Sequence, residues 1–138
     1  MKFMIMLQGT QSEYDAMDGN ASAEAPAWTK DDLKAMFGFM QKLNEDLAAS
    51  GELIEGQGLT APSKAGVVTG EKDGRPVVSR DGYGVEQEVL VGYWLLECES
   101  FDRATQIAAR VHSCPVPEGA VSHPVIVRPV QEEPPVAQ

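Results

Sequence analysis

The feature that most constrains the fold is an uninterrupted apolar run at residues 89–96, the longest in the sequence. The run is short for a helix and rich in Val, Leu, Tyr and Trp, so it predicts a strand that is covered on both faces. The turn before it carries one acid, Asp81, between Arg80 and Gly82. A buried strand that follows an acid-bearing turn is the first place to look for a functional site.

Length and charge exclude several classes of protein. The chain has 138 residues, which predicts one domain with a core of its own. Its formal net charge is -10, from 21 acidic and 11 basic residues, so direct binding to nucleic acid is not expected. No apolar run approaches the roughly eighteen residues of a membrane span, so no membrane partner is expected. The N-terminus has no signal-peptide pattern, which predicts a cytoplasmic protein with Cys98 and Cys114 reduced.

The N-terminal part of the chain predicts a strand, an acidic loop and a helix. Residues 2–7 are apolar on both faces and predict a central strand, or one whose second face is covered by another subunit. Residues 10–28 lose this periodicity and collect acids, which predicts a long acidic loop or lid, or else a disordered excursion. Thr29 followed by Asp32 predicts a helix cap, and apolar residues at helical spacing carry this helix to a left-handed end at Gly51.

Beyond this helix the pattern changes to strands. Residues 52–59 and 65–71 predict two strands. The Asp73-Gly74 pair predicts a hairpin turn into a further strand at 76–79, because both residues tolerate the left-handed backbone of such a turn.

The C-terminal part predicts a second helix and a last strand. Ser100 predicts the cap of that helix, which stops before Ser113 because two prolines and a glycine follow. Residues 121–130 predict the last strand, and residues 131–138 predict a disordered tail.

This order of elements predicts an α+β fold. It matches the ferredoxin-like split βαβ pattern with an extra β-hairpin, in which an antiparallel sheet carries two helices on one face. Such a sheet leaves its other face bare, yet residues 2–7 and 89–96 are apolar on both sides. We therefore expect a homodimer in which the two sheets cover each other.

Several short motifs stand in the order and spacing of a known family. They are Lys2-Phe-Met-Ile-Met-Leu7, Leu43-Asn-Glu-Asp-Leu47, Ser50-Gly-Glu-Leu53, Gly56-Gln-Gly-Leu59, Asp73-Gly74, Asp81-Gly82, Gly92-Tyr-Trp94, a helix at 102–109, and Val127-Arg-Pro129. The chain resembles the YCII-related family, also called the DGPF-domain family, as one domain over residues 1–130. The resemblance implies a dimeric α/β barrel with a cleft near the dimer interface and a suspected acid/base site. Members also occur beside or fused to extracytoplasmic-type sigma factors, which implies an association with transcription initiation.

Two departures from the family pattern concern this site. The family continues Asp-Gly with Pro-Phe, whereas Tyr83-Gly84 follows Asp81-Gly82 here. The family often has a histidine in the first helix, thought to pair with the aspartate, and Met40 occupies that position. A histidine partner for the aspartate would therefore have to be His112 or His123.

Asp81 is the candidate general base, because partial desolvation in a cleft makes a carboxylate a better base. The alternative is a structural role, in which Asp81 accepts backbone hydrogen bonds and holds the turn. The candidate substrate-binding residues are Arg128, Tyr83, Tyr93 and Trp94. The alternatives are packing for the aromatic rings and a structural ion pair for Arg128.

No metal and no cofactor are expected. His112, His123 and the two cysteines lack the short paired spacings of a zinc site, and no glycine-rich phosphate loop precedes a helix. Both histidines are more typical of helix-capping or surface positions. The sequence predicts a protein that binds an unidentified small molecule in a dimer cleft, with acid/base catalysis through Asp81. The alternative is a non-catalytic accessory or regulatory protein.

Overall fold

The computed structural model describes residues 1–133. Its elements follow in the order β1 (Lys2–Gly9), α1 (Gln11–Met17), α2 (Lys30–Ser50), β2 (Leu53–Gly58), β3 (Val67–Lys72), β4 (Arg75–Ser79), β5 (Val89–Glu97), α3 (Phe101–His112) and β6 (Ile126–Pro129). A short 3-10 turn, Pro62–Lys64, lies between β2 and β3. None of the helices in this range combines the length and the apolar character that crossing a membrane requires.

Within the described range, four strands form an antiparallel sheet in the order β2-β5-β1-β6, and β3 pairs with β4 in a separate hairpin. The two long helices, α2 and α3, pack on the same face of this sheet and bury the main core. The largest fully buried side chains are Phe3, Ile5, Leu43 and Leu96. This architecture confirms the predicted α+β class and is compatible with a ferredoxin-like fold.

The local signals for helix ends and for the hairpin turn are confirmed. The backbone N–H of Asp32 donates to Thr29 Oγ1 (3.1 Å), and the N–H of Thr29 donates to Asp32 Oδ2 (2.9 Å), which caps α2. Gly51 ends α2 with a φ of 81°. Asp73 and Gly74 turn β3 into β4 with φ values of 53° and 77°. Each of these features depends only on residues close in sequence, so the sequence reveals it.

A helix, α1, lies in the stretch 10–28, where the sequence predicted a loop without periodic structure. That prediction is wrong for residues 11–17, which are helical. A helix of two turns is marginal by itself, and distant backbone groups hold this one in place. The N–H of Gln11 donates to the carbonyl of Gly84 (2.9 Å), and the hydroxyl of Tyr14 donates to the carbonyl of Leu59 (2.6 Å). Contacts of this kind leave no periodic signal in the sequence.

The last strand is shorter than predicted. Residues 121–130 were expected to pair, but β6 begins at Ile126. Pro124 has no N–H to donate to a neighbouring strand, so pairing starts beyond it. Of the predicted disordered tail, residues 131–133 are exposed and residues 134–138 lie outside the described residues.

The two faces of the four-stranded sheet differ. Phe3 and Ile5 on β1 are buried beneath α2 and α3, and the residues between them point the other way. The second face, here called the open face, carries half-buried apolar side chains: Met4, Met6, Tyr93, Leu95 and Ile126. The helices thus cover one face of the strands that the sequence predicted to be covered on both.

Candidate functional site

Asp81, the predicted general base, lies in the loop between β4 and β5. Its side chain is exposed, and it forms no hydrogen bond or ion pair within residues 1–133. The neighbouring Gly82 has a φ of 82°, so the turn is supported by glycine rather than by a bond to the carboxylate. The structure does not bring Asp81 to either histidine.

The four predicted substrate-binding residues lie in different places. Trp94 is buried beneath α2 and donates its indole N–H to Asn44 Oδ1 (2.7 Å). Tyr93 points to the open face and donates its hydroxyl to Glu55 Oε1 (3.2 Å). Arg128 is exposed on β6 opposite Met4. Tyr83, half-buried, lines a small cavity of about 250 Å³ with Pro62 and Leu90. Adjacent strand residues alternate between faces, which separates Tyr93 from Trp94.

The structure instead brings a histidine between two carboxylates. Nε2 of His123 bonds Oε1 of Glu13, and Nδ1 of His123 bonds Oε1 of Glu88. We call these three residues the His123 cluster. The imidazole is the most buried member, with 14% of its side chain exposed against 33% for Glu13 and 41% for Glu88.

Three separate segments position the His123 cluster. Glu13 lies on α1, and Thr10 Oγ1 donates to Glu13 Oε1 (3.2 Å). Glu88 directly precedes β5, and His123 lies in the connection from α3 to β6. The histidine is 110 positions from Glu13 and 35 from Glu88, so no local motif announces the cluster. One signal was available from the sequence: His123 precedes a proline in a stretch expected to pair as a strand.

The charges of the cluster favour a protonated histidine. Partial burial lowers the pKa of His123, but the hydrogen bonds and negative charges of Glu13 and Glu88 outweigh it and raise the pKa above 6.5. A protonated imidazole can donate from both ring nitrogens at once, as the two bonds require. Two carboxylates and one imidazolium leave the cluster with one net negative charge.

Three neighbouring cavities adjoin the cluster and α2. The outer cleft, about 590 Å³, is lined by Glu13, Glu88 and His123 together with Thr10, Ser12, Glu24, Val85, Glu86, Gln87 and Val121. The middle cavity, about 210 Å³, also has Glu13 and His123 in its wall. The inner cavity, about 260 Å³, lies between α2 and the sheet, beside Trp94. The cluster therefore faces space that a small molecule can occupy.

Met40 on α2 lines both the middle and the inner cavity. His112 and His123 line the same middle cavity as Met40.

His112 and the two cysteines are less suited to acid/base chemistry than the His123 cluster. His112 Nε2 and Ser122 Oγ are 3.1 Å apart, and both residues are exposed. Cys98 and Cys114 carry free thiols, and burial raises the pKa of Cys114 to about 11, so its thiol is a poor nucleophile. Within the described residues, no group of three or more His, Cys, Asp or Glu is arranged to hold a metal ion.

No protein-family model matches this chain, and no characterised protein matches it either. The resemblance to the YCII-related family therefore stays a prediction from short motifs. The fold and the site define an α+β protein with a histidine and two carboxylates at the wall of a cavity.

Proposed function

We propose that this chain binds a small molecule in the cavities beside α2 and transfers a proton to or from it through the His123 cluster. One observation carries the proposal: a mostly buried imidazole bridges two carboxylates at the wall of a cleft. Imidazole and carboxylate groups are the commonest general acids and bases in proteins, and they act best when their pKa is tuned by neighbours.

Glu88 is the base in this proposal, because it is the most exposed member of the cluster and lines the cleft. It takes a proton from the ligand, the electron pair of the broken bond stays on the ligand, and the new O–H returns its proton to the ligand or to water. The bond between His123 Nδ1 and Glu88 Oε1 holds this carboxylate at the wall of the cleft. Glu13 holds the other ring nitrogen and fixes the orientation of the imidazole.

The same geometry argues against the role predicted for Asp81. Asp81 is exposed and lines none of the three cavities, so it does not face the space in which a small molecule would bind. We therefore move the proposed base from Asp81 to Glu88 and keep the predicted reaction class, which is proton transfer on a small molecule.

We expect Glu88→Gln to abolish proton exchange between a bound ligand and water. Small molecules that raise the melting temperature of the wild type are selected first, and the replacement of their carbon-bound hydrogens by deuterium is then followed by NMR in D2O. The wild type should accelerate this proton exchange, because a proton taken by Glu88 is replaced from solvent, and Glu88→Gln should not. Asp81→Asn is the matched control and should behave like the wild type. Equal proton exchange in the wild type and Glu88→Gln would contradict the proposal, as would its loss in Asp81→Asn alone.

We further propose that a second copy of the chain covers the open face, as the resemblance implies for a dimeric α/β barrel. The apolar centre of this face is bordered by Glu55 on the β2 edge and by Arg128 on the β6 edge. A two-fold axis parallel to the strands would bring the glutamate of one copy near the arginine of the other, because Glu55 and Arg128 lie in one row across the sheet. This charge complementarity favours a second copy over an unrelated partner, although a regulatory protein that docks on the same face is the alternative.

We expect Met6→Lys to convert a dimer into a monomer. A charged side chain at the centre of the open face would be desolvated without a partner in the dimer. Sedimentation equilibrium should give twice the chain mass for the wild type and the chain mass for Met6→Lys. Met36→Lys is the control, because Met36 is equally half-buried but lies on the other side of the sheet. A monomeric wild type would overturn this assembly.

A further inference from the structure

The first half of α2 stands away from the sheet. Leu43 and Leu47 in its second half are buried, whereas Leu33, Met36 and Met40 in its first half are only half-buried. The helix thus packs tightly at one end and leaves the inner and middle cavities beneath the other. Both methionines line these two cavities.

Glycines form the floor beneath this half of the helix. Gly56 and Gly58 on β2 pair with Trp94 and Gly92 on β5, and all four line the inner cavity. A Cβ built on Gly58 would have no atom within 4 Å, so the space above this residue is open. These glycines have no side chains to fill the inner cavity, so it stays open beneath α2.

The middle cavity shares wall residues with both the inner cavity and the outer cleft. The middle cavity shares Leu7, Met36, Met40 and Val91 with the inner one, and shares Glu13, Val121 and His123 with the outer one. Methionine side chains are unbranched and adapt their shape readily, so the wall between the middle and inner cavities can yield to a ligand. The space that a ligand would then occupy runs from a charged end at His123 to an apolar end beneath α2.

Apart from His123, all the charged side chains that line the outer cleft are negative. The outer cleft is lined by four carboxylates, those of Glu13, Glu24, Glu86 and Glu88. Within the described residues, no Lys or Arg lines any of the three cavities. An anionic ligand would meet repulsion there, whereas a cationic one would be attracted.

We propose that the ligand of this site is an amine with an unbranched apolar tail. Its ammonium group lies against the carboxylates of the outer cleft, and its tail passes Met36 and Met40 over the glycine floor. This inference rests on the proposed function, since it names the class of molecule that the His123 cluster acts on. Charge complementarity selects the head group, and the apolar channel selects the tail.

The head group is tested with octylamine, octanol and octanoate, which share a tail and differ in charge. Calorimetric titration of the full chain at constant ionic strength should show octylamine binding at least about tenfold more tightly than octanoate, with octanol between them. Glu88→Gln should weaken octylamine severalfold and leave octanol unchanged. Octanoate binding as tightly as octylamine, or no binding of octylamine at all, would overturn the proposal.

The tail is tested with Gly58→Leu, which places a side chain in the open space of the inner cavity. Octylamine binding should fall at least about fivefold because the tail and the new leucine compete for one space. Gly70→Leu is the matched control, since Gly70 is also a strand glycine with nothing within 4 Å of a built Cβ but lines none of the three cavities. Circular dichroism establishes that both variants fold. An equal effect of the two substitutions would overturn the placement of the tail.

The proposed function and this inference fail in different ways. If octylamine binds as expected but no ligand exchanges protons through Glu88, the amine site stands and the acid/base function is wrong. If screened ligands exchange protons through Glu88 but octylamine does not bind, the acid/base function stands and the amine class is wrong.

Discussion

Replacing Gly84 with alanine is expected to lower the free energy of unfolding by about 3 kcal/mol. A left-handed backbone costs a residue with a Cβ about 1–2 kcal/mol, and an overpacked contact costs about 1–3 kcal/mol. Gly84 has a φ of 76°, and a Cβ there would lie 2.6 Å from Pro62 Cβ and 3.1 Å from Val89 Cγ2. Pro62 is a rigid ring within the 3-10 turn, so it cannot move aside as a flexible side chain would.

Gly82→Ala separates the two causes. Gly82 has a φ of 82°, but a Cβ there would have no atom within 4 Å. Gly82→Ala should therefore lower the free energy of unfolding only through the left-handed backbone conformation, by about 1 kcal/mol. Urea denaturation followed by circular dichroism measures both variants. If the two substitutions destabilise the chain equally, the contact with Pro62 does not limit this position.

The position matters for the site as well as for stability. The carbonyl of Gly84 accepts the first N–H of α1, and the same loop continues to Glu88 at the start of β5. A displaced Gly84 therefore disturbs both carboxylates that hold His123. The close approach to Pro62 gives a physical reason for a glycine at this position.

How much the sequence could predict depends on the range of each contact. The capping box at Thr29, the left-handed Gly51 and the Asp73-Gly74 turn involve neighbours in the chain, and all were predictable. The α+β class followed because apolar periodicity marks strands and helices one at a time.

The His123 cluster could not be predicted from the sequence because its three residues are far apart in the chain. Glu13 lies in a stretch without periodicity, on a helix that depends on partners elsewhere. His123 looked like a surface residue before a proline, and its two carboxylates become neighbours only when α1 and the start of β5 meet. Asp81 was predicted as the base from a local motif, and a local motif does not reveal whether a side chain faces a cavity.

The ion pair between Arg103 on α3 and Glu52, which lies between α2 and β2, is expected to make the stability of the chain sensitive to acid. Arg103 donates from Nε to Glu52 Oε2 and from Nη2 to Oε1, both at 2.9 Å, and Ser50 Oγ donates to the same carboxylate (2.8 Å). Only 15% of the Glu52 side chain is exposed. The Arg103 hydrogen bonds, with help from Ser50, lower the pKa of Glu52 from 4.5 to about 2.

The direction of the pH effect follows from this depressed pKa. Glu52 binds a proton more weakly in the folded chain than in the unfolded one, so its stabilising contribution is complete above a pH of about 4.5. The contribution is lost as the pH falls from about 4.5 through about 2. We expect Glu52→Gln to lower the free energy of unfolding by about 2 kcal/mol at neutral pH, as for other charge-assisted bonds, and to flatten its pH dependence in this window.

Asp46→Asn is the matched control. Asp46 also pairs with an arginine, Arg110, at 2.6 Å, but 37% of its side chain is exposed, against 15% for Glu52. Solvent screens an exposed pair, so this substitution should cost less than Glu52→Gln and should leave most of the acid sensitivity in place. Urea denaturation of both variants across the acid range makes the comparison. If Asp46→Asn flattens the pH dependence more than Glu52→Gln does, the Glu52–Arg103 pair is not what acid breaks, and the exposed Asp46–Arg110 pair takes its place.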